Sequence, residues 1–195
     1  MAGRSRRNRC GRRNVHPSRQ ELEQTEVTFN DAFAYVVGEE GKLSMDPQDP
    51  GNWTGHKIGQ GVLKGTKYGI SAAAYPLLDI ANLSLSDAQA IYQRDYWNKI
   101  GGDSLPWGNA LCLFDFGVNA GIEEAARVAQ RALGLTVDGI LGPNTLGTIR
   151  NMPPQVFAPL FTQYRIAAYH LMAGFEHEGN GWIARANLTE QKAIA

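Results

Sequence analysis

Phe29, Phe33, Val36 and Val37 stand at i, i+4, i+7 and i+8, a spacing that lays four apolar side chains along one helix face. The helix is expected over about 30–40, with Asn30 as N-cap and Gly41 as the residue that ends it. The helical period then stops. Residues 41–70 are rich in Gly, Pro and Asp and end in Lys67-Tyr68-Gly69-Ile70-Ser71, which predicts an irregular loop or short hairpin. Connections of that length usually carry function. Ser86-Asp87-Ala88-Gln89 is a capping-box pattern that opens a helix through Ile91, Tyr92, Asp95 and Tyr96. Leu105 to Ala120 is strongly apolar and predicts a central buried helix entered from Pro106. Another helix runs from Glu123 to Leu133 and stops at Gly134, Asp138-Gly139 turns the chain, and Gly142-Pro143-Asn144 leads into a short helix through Arg150. After Pro153-Pro154 a last long helix carries Phe157, Leu160, Phe161, Tyr164, Ala168 and Leu171 as one stripe. The pattern is mainly α, with little sheet and no internal repeat.

Composition alters this picture in one respect. The 195 residues are 43% hydrophobic and 19% charged, enough for a proper core, and the formal net charge is zero. That zero hides a segregation. Arg4, Arg6, Arg7, Arg9, Arg12, Arg13 and Arg19 lie in the first 19 residues without an acid among them, so a +7 arm precedes a −7 body. Residues 1–24 lack hydrophobic periodicity and read as an arm, either a solvated tail or a dock for an acidic partner, nucleic acid or an anionic envelope surface. Nucleic acid ranks last, because the acidic body opposes it.

No run of 18 apolar residues is present, so no membrane span is expected, and no apolar stretch follows the basic residues as a Sec signal peptide requires. Cys112, in an apolar segment, reads as a buried small hydrophobe; Cys10 lies in the arm. The four histidines are too scattered for a metal site, and no phosphate loop or nucleophile elbow is present, so neither a metal nor an organic cofactor is implied.

The candidate chemistry lies where the first helix meets its loop. Glu40 is expected at a helix C-terminus, whose partial negative charge disfavours a second one, and partial burial acts in the same direction. Both favour the protonated carboxyl that a general acid needs near neutrality. Glu39 lies about 100° around the helix and is set aside as a surface residue. Asp46 and Asp49 sit in a loop stiffened by Pro47 and Pro50, with Thr54 beyond it. Asp49, with Thr54, is the candidate for holding water or stabilising positive charge, although Asx-Pro steps also build turns without any catalytic role. Trp53, Tyr68, Tyr92, Trp97 and Trp107 are aromatics near these elements, suited to sugar stacking or to core packing. Asn119 in its apolar helix must, if buried, find hydrogen-bond partners, either a sugar N-acetyl group or a neighbouring loop. An acid of this kind beside a second polar site implies a glycosidase.

Glu40-Gly41, the loop Asp46-Pro47-Gln48-Asp49-Pro50-Gly51-Asn52-Trp53-Thr54-Gly55, Lys64-Gly65-Thr66-Lys67-Tyr68-Gly69-Ile70-Ser71 and Asp115-Phe116-Gly117-Val118-Asn119-Ala120-Gly121 occur in an order that resembles glycoside hydrolase family 108. These are phage and bacterial N-acetylmuramidases of lysozyme-like fold. Ala132-Leu133-Gly134 and Asp138-Gly139-Ile140-Leu141-Gly142-Pro143-Asn144-Thr145-Leu146 resemble the small peptidoglycan-binding module often attached to them, and the likeness extends over roughly 27–188. It implies a lysozyme-like helical domain over 25–121 with a small irregular or β loop region, followed by a helical peptidoglycan-binding module over 122–195. The implied reaction is cleavage of the β-1,4 bond between N-acetylmuramic acid and N-acetylglucosamine. Glu40 would be the acid, Asp49 and Thr54 its partners, and Trp53, Tyr68 and Asn119 would contact the glycan strand.

One departure stands beside the acid: Lys42-Leu43 replaces the family's usual Gly-Tyr. The competing expectation is a virion tail or baseplate protein whose lysozyme domain is secondary or inactive, with the Arg-rich arm docking on other virion proteins. The expected location is a phage virion or the bacterial cytoplasm, with action at the cell wall or periplasm.

Overall fold

The structure, a computed structural model, describes residues 29–38 and 41–195. The arm with Cys10, and the pair Glu39-Glu40, lie outside the described residues.

Helix α1 covers 29–36, and the apolar stripe read from the sequence is its buried face, with Phe29, Phe33 and Val36 in the core. Its ends differ from expectation. Asn30 lies inside the helix, and the chain leaves it at Gly38 (φ +74) rather than at Gly41. The amides of Val37 and Gly38 both return to the carbonyl of Phe33, so Gly38 is the left-handed stop.

The following segment is a small lobe without a helix longer than the 3-10 turn Pro50–Asn52. A two-stranded antiparallel hairpin, β1 (Thr66–Lys67) and β2 (Ile70–Ser71), closes it, with isolated bridges Ser44 to Thr66 and Trp53 to Leu63. The two hairpin-turn residues, Tyr68 (φ +52) and Gly69 (φ +72), are both left-handed, as tight two-residue hairpins prefer. Asn52 holds the lobe together. Its fully buried side chain donates to Asp46 O at 3.0 Å and accepts from Thr66 Oγ1 at 2.7 Å.

Helix α2 (Leu85–Tyr92) continues into a π-helical turn, Gln93–Trp97. Its capping box is set two residues before the predicted start. Ser84 accepts from the Asp87 amide, and Asp87 accepts from the Ser84 amide, both at 3.1 Å. Helix α3 (Trp107–Ala120) is the central element, entered from Pro106 and buried continuously from Gly108 to Gly117. Cys112 is buried within it, as expected, and burial pushes its thiol up to about 12. Helices α4 (Ile122–Leu133), α5 (Pro143–Arg150) and α6 (Pro154–Tyr169) follow close to their predicted limits.

A 20-residue helix α7 (Phe175–Ile194) then packs against α6 and α3, where no helix was expected. Its buried positions are Gly179, Ala186, Thr189 and Ala193. These small residues allow close approach: a Cβ on Gly108 of α3 would overlap the carbonyl of Ala193. One continuous hydrophobic core runs from Phe29 to Ala193, so helices on both sides of residue 121 share it.

Candidate active site

A cleft of about 330 Å³ opens between the end of α1, the hairpin, α2 and the C-terminal end of α3. Val36 and Val37 line one side, Tyr68, Tyr92 and Tyr96 supply aromatic faces, and Asn119 and Arg185 supply polar groups. Tyr92 and Tyr96 stack with their centroids 5.4 Å apart. The Tyr92 hydroxyl donates to the Tyr68 carbonyl at 3.0 Å, supporting the left-handed backbone of that residue. Burial, with the neighbouring Tyr96 acting in the same direction, raises the Tyr92 phenol to about 12, so it stays a neutral donor.

Gly41 joins this cleft to the acid motif. Any Cβ at position 41 would overlap the Tyr68 ring, so the backbone immediately after Glu40 runs against the aromatic wall. Gly41→Ala should therefore displace Tyr68 or the chain and lower kcat by about 10²-fold. Initial rates of wall hydrolysis check this, and an unaltered rate would show that the contact is dispensable.

Below the cleft lies a buried ionic cluster. Asp115, fully buried on α3, takes Arg165 Nη1 on Oδ2 and Arg185 Nη2 on Oδ1, each at 2.6 Å. Thr189 Oγ1 adds a bond to Oδ2 at 3.1 Å. Arg165 Nε donates to the Tyr169 hydroxyl at 2.7 Å, which donates in turn to Asn119 Oδ1 at 3.2 Å. Burial opposes the charge on Arg185, but the hydrogen bond and attraction of Asp115 outweigh it and hold this guanidinium above its ordinary pKa. A chain of polar bonds thus ties the cleft to the core.

Of the residues expected at the site, the cleft brings together Tyr68 and Asn119. Asn119 is exposed there rather than buried. Asp49, Trp53 and Thr54 belong to the small lobe and do not line the cleft. Asp49 Oδ1 caps the 3-10 turn by accepting from Gly51 N at 2.8 Å, and Asp46 Oδ1 accepts from Gln48 N at 2.9 Å. Thr54 Oγ1 accepts from Val62 N at 2.9 Å, and Trp53 Nε1 donates to Pro47 O at 3.0 Å. Trp97 is wholly buried and serves the core.

Glu40 lies outside the described residues, and the last turn of α1 closes at Gly38 rather than at Gly41. Leu43, where the family usually has an aromatic, lines a separate apolar groove with Met45 and Leu63, away from Tyr68.

Asp115, Arg165 and Arg185 were not singled out from the sequence. Asp115 opens the Asp-Phe-Gly-Val-Asn segment of α3, and neither arginine has a local pattern that marks it. Among the described residues no group of His, Cys, Asp and Glu could hold a metal ion, and no helix is long and apolar enough to cross a membrane.

Residues 33–121 match the family model described as Glycosyl hydrolase 108. The chain also resembles a solved structure, that of Brucella abortus SagA, with a TM-score of 0.71 and 28% identity, covering 87% of this chain and 95% of that one. No curated protein matches the chain.

Proposed function

Residues 33–121 form a glycosyl hydrolase 108 domain of mainly helical, lysozyme-like fold, which makes the chain a glycoside hydrolase, and from this premise we propose that it is an N-acetylmuramidase. Its substrate is peptidoglycan, and it cleaves the β-1,4 bond between N-acetylmuramic acid and N-acetylglucosamine. The observation that supports this reading is the packing of Gly41, the residue next to Glu40 in sequence, against Tyr68, which lines an aromatic cleft together with Asn119 and Arg185.

Glu40 protonates the leaving glycosidic oxygen while the oxocarbenium-like transition state develops. Tyr68 and Tyr96 offer faces for sugar rings, and Asn119, whose Oδ1 is held by Tyr169, keeps its amide nitrogen for an acceptor on the glycan. Muropeptide analysis of digested wall tests the assignment. New reducing ends on muramic acid support it, and ends on glucosamine would replace it with a glucosaminidase.

Asp49 is our candidate for the second carboxylate, with Thr54 on the same lobe. One Asp49 oxygen is committed to the Gly51 amide, which leaves the other to act on water or on developing charge. Asn at this position keeps an acceptor for the cap and loses the charge. Asp49→Asn should lower kcat by about tenfold while the melting temperature holds. A wild-type rate would confine Asp49 to building the loop.

The arginine-rich arm favours an additional setting, a virion-associated enzyme that opens the wall locally, with the arm docked on tail or baseplate proteins. Finding the protein in purified particles supports this, whereas its restriction to lysing cells identifies an endolysin.

A further inference from the structure

The end of α1, like any helix end, leaves carbonyls without helical partners. The carbonyl of Val36 receives Arg185 Nη2 at 3.0 Å from a helix 149 residues further along the chain. The same guanidinium donates from Nε to Asp115 Oδ1 at 2.7 Å. Asp115 cannot drift, since it is fully buried and its other oxygen is held by Arg165 and Thr189. Arg185 thus links three elements: the end of α1, the central helix α3 and its own helix α7. A planar fork of fixed donors suits this task, because it meets a carbonyl and a carboxylate together, and a cation is favoured at a helix C-terminus. A lysine, with one ammonium on a flexible stem, does not reproduce the geometry.

Arg185 lies outside the residues 33–121 that match the hydrolase family model. We propose that Arg185 is a positioning residue of the glycosidase site. It locks the end of α1, the element that precedes Glu40 in the chain, to the buried carboxylate of α3. Helix α7 is then part of the catalytic unit rather than an accessory to it. The catalytic consequence rests on the reading of Glu40 as the acid.

The test uses the full chain with Arg185→Gln and Arg185→Lys, assayed well below their melting temperatures. Rates on peptidoglycan are measured alongside amide exchange in the last turn of α1 and in α6. Arg185→Gln should lower kcat by about 10²-fold with KM nearly unchanged, the signature of a misplaced catalytic group. Arg185→Lys should recover only part of the loss. Exchange at Val37, whose amide bonds the Phe33 carbonyl, should quicken in both variants while α6 keeps its protection.

An unchanged kcat overturns the proposal, as does a rise in KM alone, which would make Arg185 a substrate contact. Unaltered exchange at the end of α1 also overturns it, as does equal loosening of α6. Should the wild-type chain release no reducing ends from peptidoglycan, the muramidase reading falls, while the exchange data still judge the clamp.

Discussion

Glu40→Gln should reduce wall hydrolysis by about 10³-fold or more and leave the fold intact. A positioned general acid contributes about 10²–10⁴-fold to a rate, and the amide that replaces it cannot release a proton to the leaving oxygen. Glutamine matches glutamate in size and removes only the ionisable group. Far-UV circular dichroism and the melting temperature should therefore match the wild type. Release of soluble muropeptides, followed over hours, provides the range needed to read a loss of this size. Full activity in this variant would remove the central claim about the site and would return attention to Asp49. The replacement of the family's usual Gly-Tyr by Lys42-Leu43 bears on the outcome less than it did at the level of sequence. Leu43 belongs to another groove, and Tyr68, Tyr92 and Tyr96 furnish the aromatic surface beside Gly41.

Asp115→Asn should instead act through stability, with a cost of about 3–5 kcal/mol, typical of breaking a buried ion pair. The substituted side chain would present a donor amide where Asp115 accepts from Arg165, Arg185 and Thr189. Two guanidiniums would then face each other without a carboxylate between them. One of them, Arg165, is only 1% exposed and already has Nη2 without a hydrogen-bond partner among the described residues. For a chain of this size the loss corresponds to a fall in melting temperature of roughly 6–20 °C. Thermal unfolding followed by circular dichroism measures it. Adding Arg165→Met should restore part of the lost stability, because it removes the buried charge that an amide cannot balance. A melting temperature unchanged in Asp115→Asn would mean that the cluster contributes little to stability.

Local patterns in the chain carried most of the helices. The stripe Phe29-Phe33-Val36, the apolar run that forms α3 and the glycine stop at Gly134 each depend on residues within a few positions of one another. Where two similar signals competed nearby, the sequence alone could not choose. Gly38 and Gly41 could both end α1; packing decided, since Gly38 takes the left-handed turn while Gly41 is needed for close approach to Tyr68. Ser84 and Ser86 could both cap α2, and Ser84 does so because its partner is Asp87.

Helix α7 was hidden for a different reason. Its buried positions are Gly179, Ala186, Thr189 and Ala193, with Phe175 and Trp182 packed beside them, so small residues dominate the inward face and weaken the contrast of large apolar and polar residues that reveals a helix. The cleft was legible only in part. The acid motif, Tyr68 and Asn119 lie in segments whose residue types already suggested sugar chemistry. The partners of Asp115 did not, because Arg185 is 70 residues away from it and no periodicity relates the two.

The sequence by itself determined a mainly helical body, a stiff acidic loop and a candidate acid, since propensity, capping and turn chemistry act over a few residues. The tertiary structure alone decided which glycine stops α1, which aromatic residues wall the cleft and which arginine grips the helix end. Each of those depends on which side chains meet when distant helices pack, and that meeting is set by the shared core.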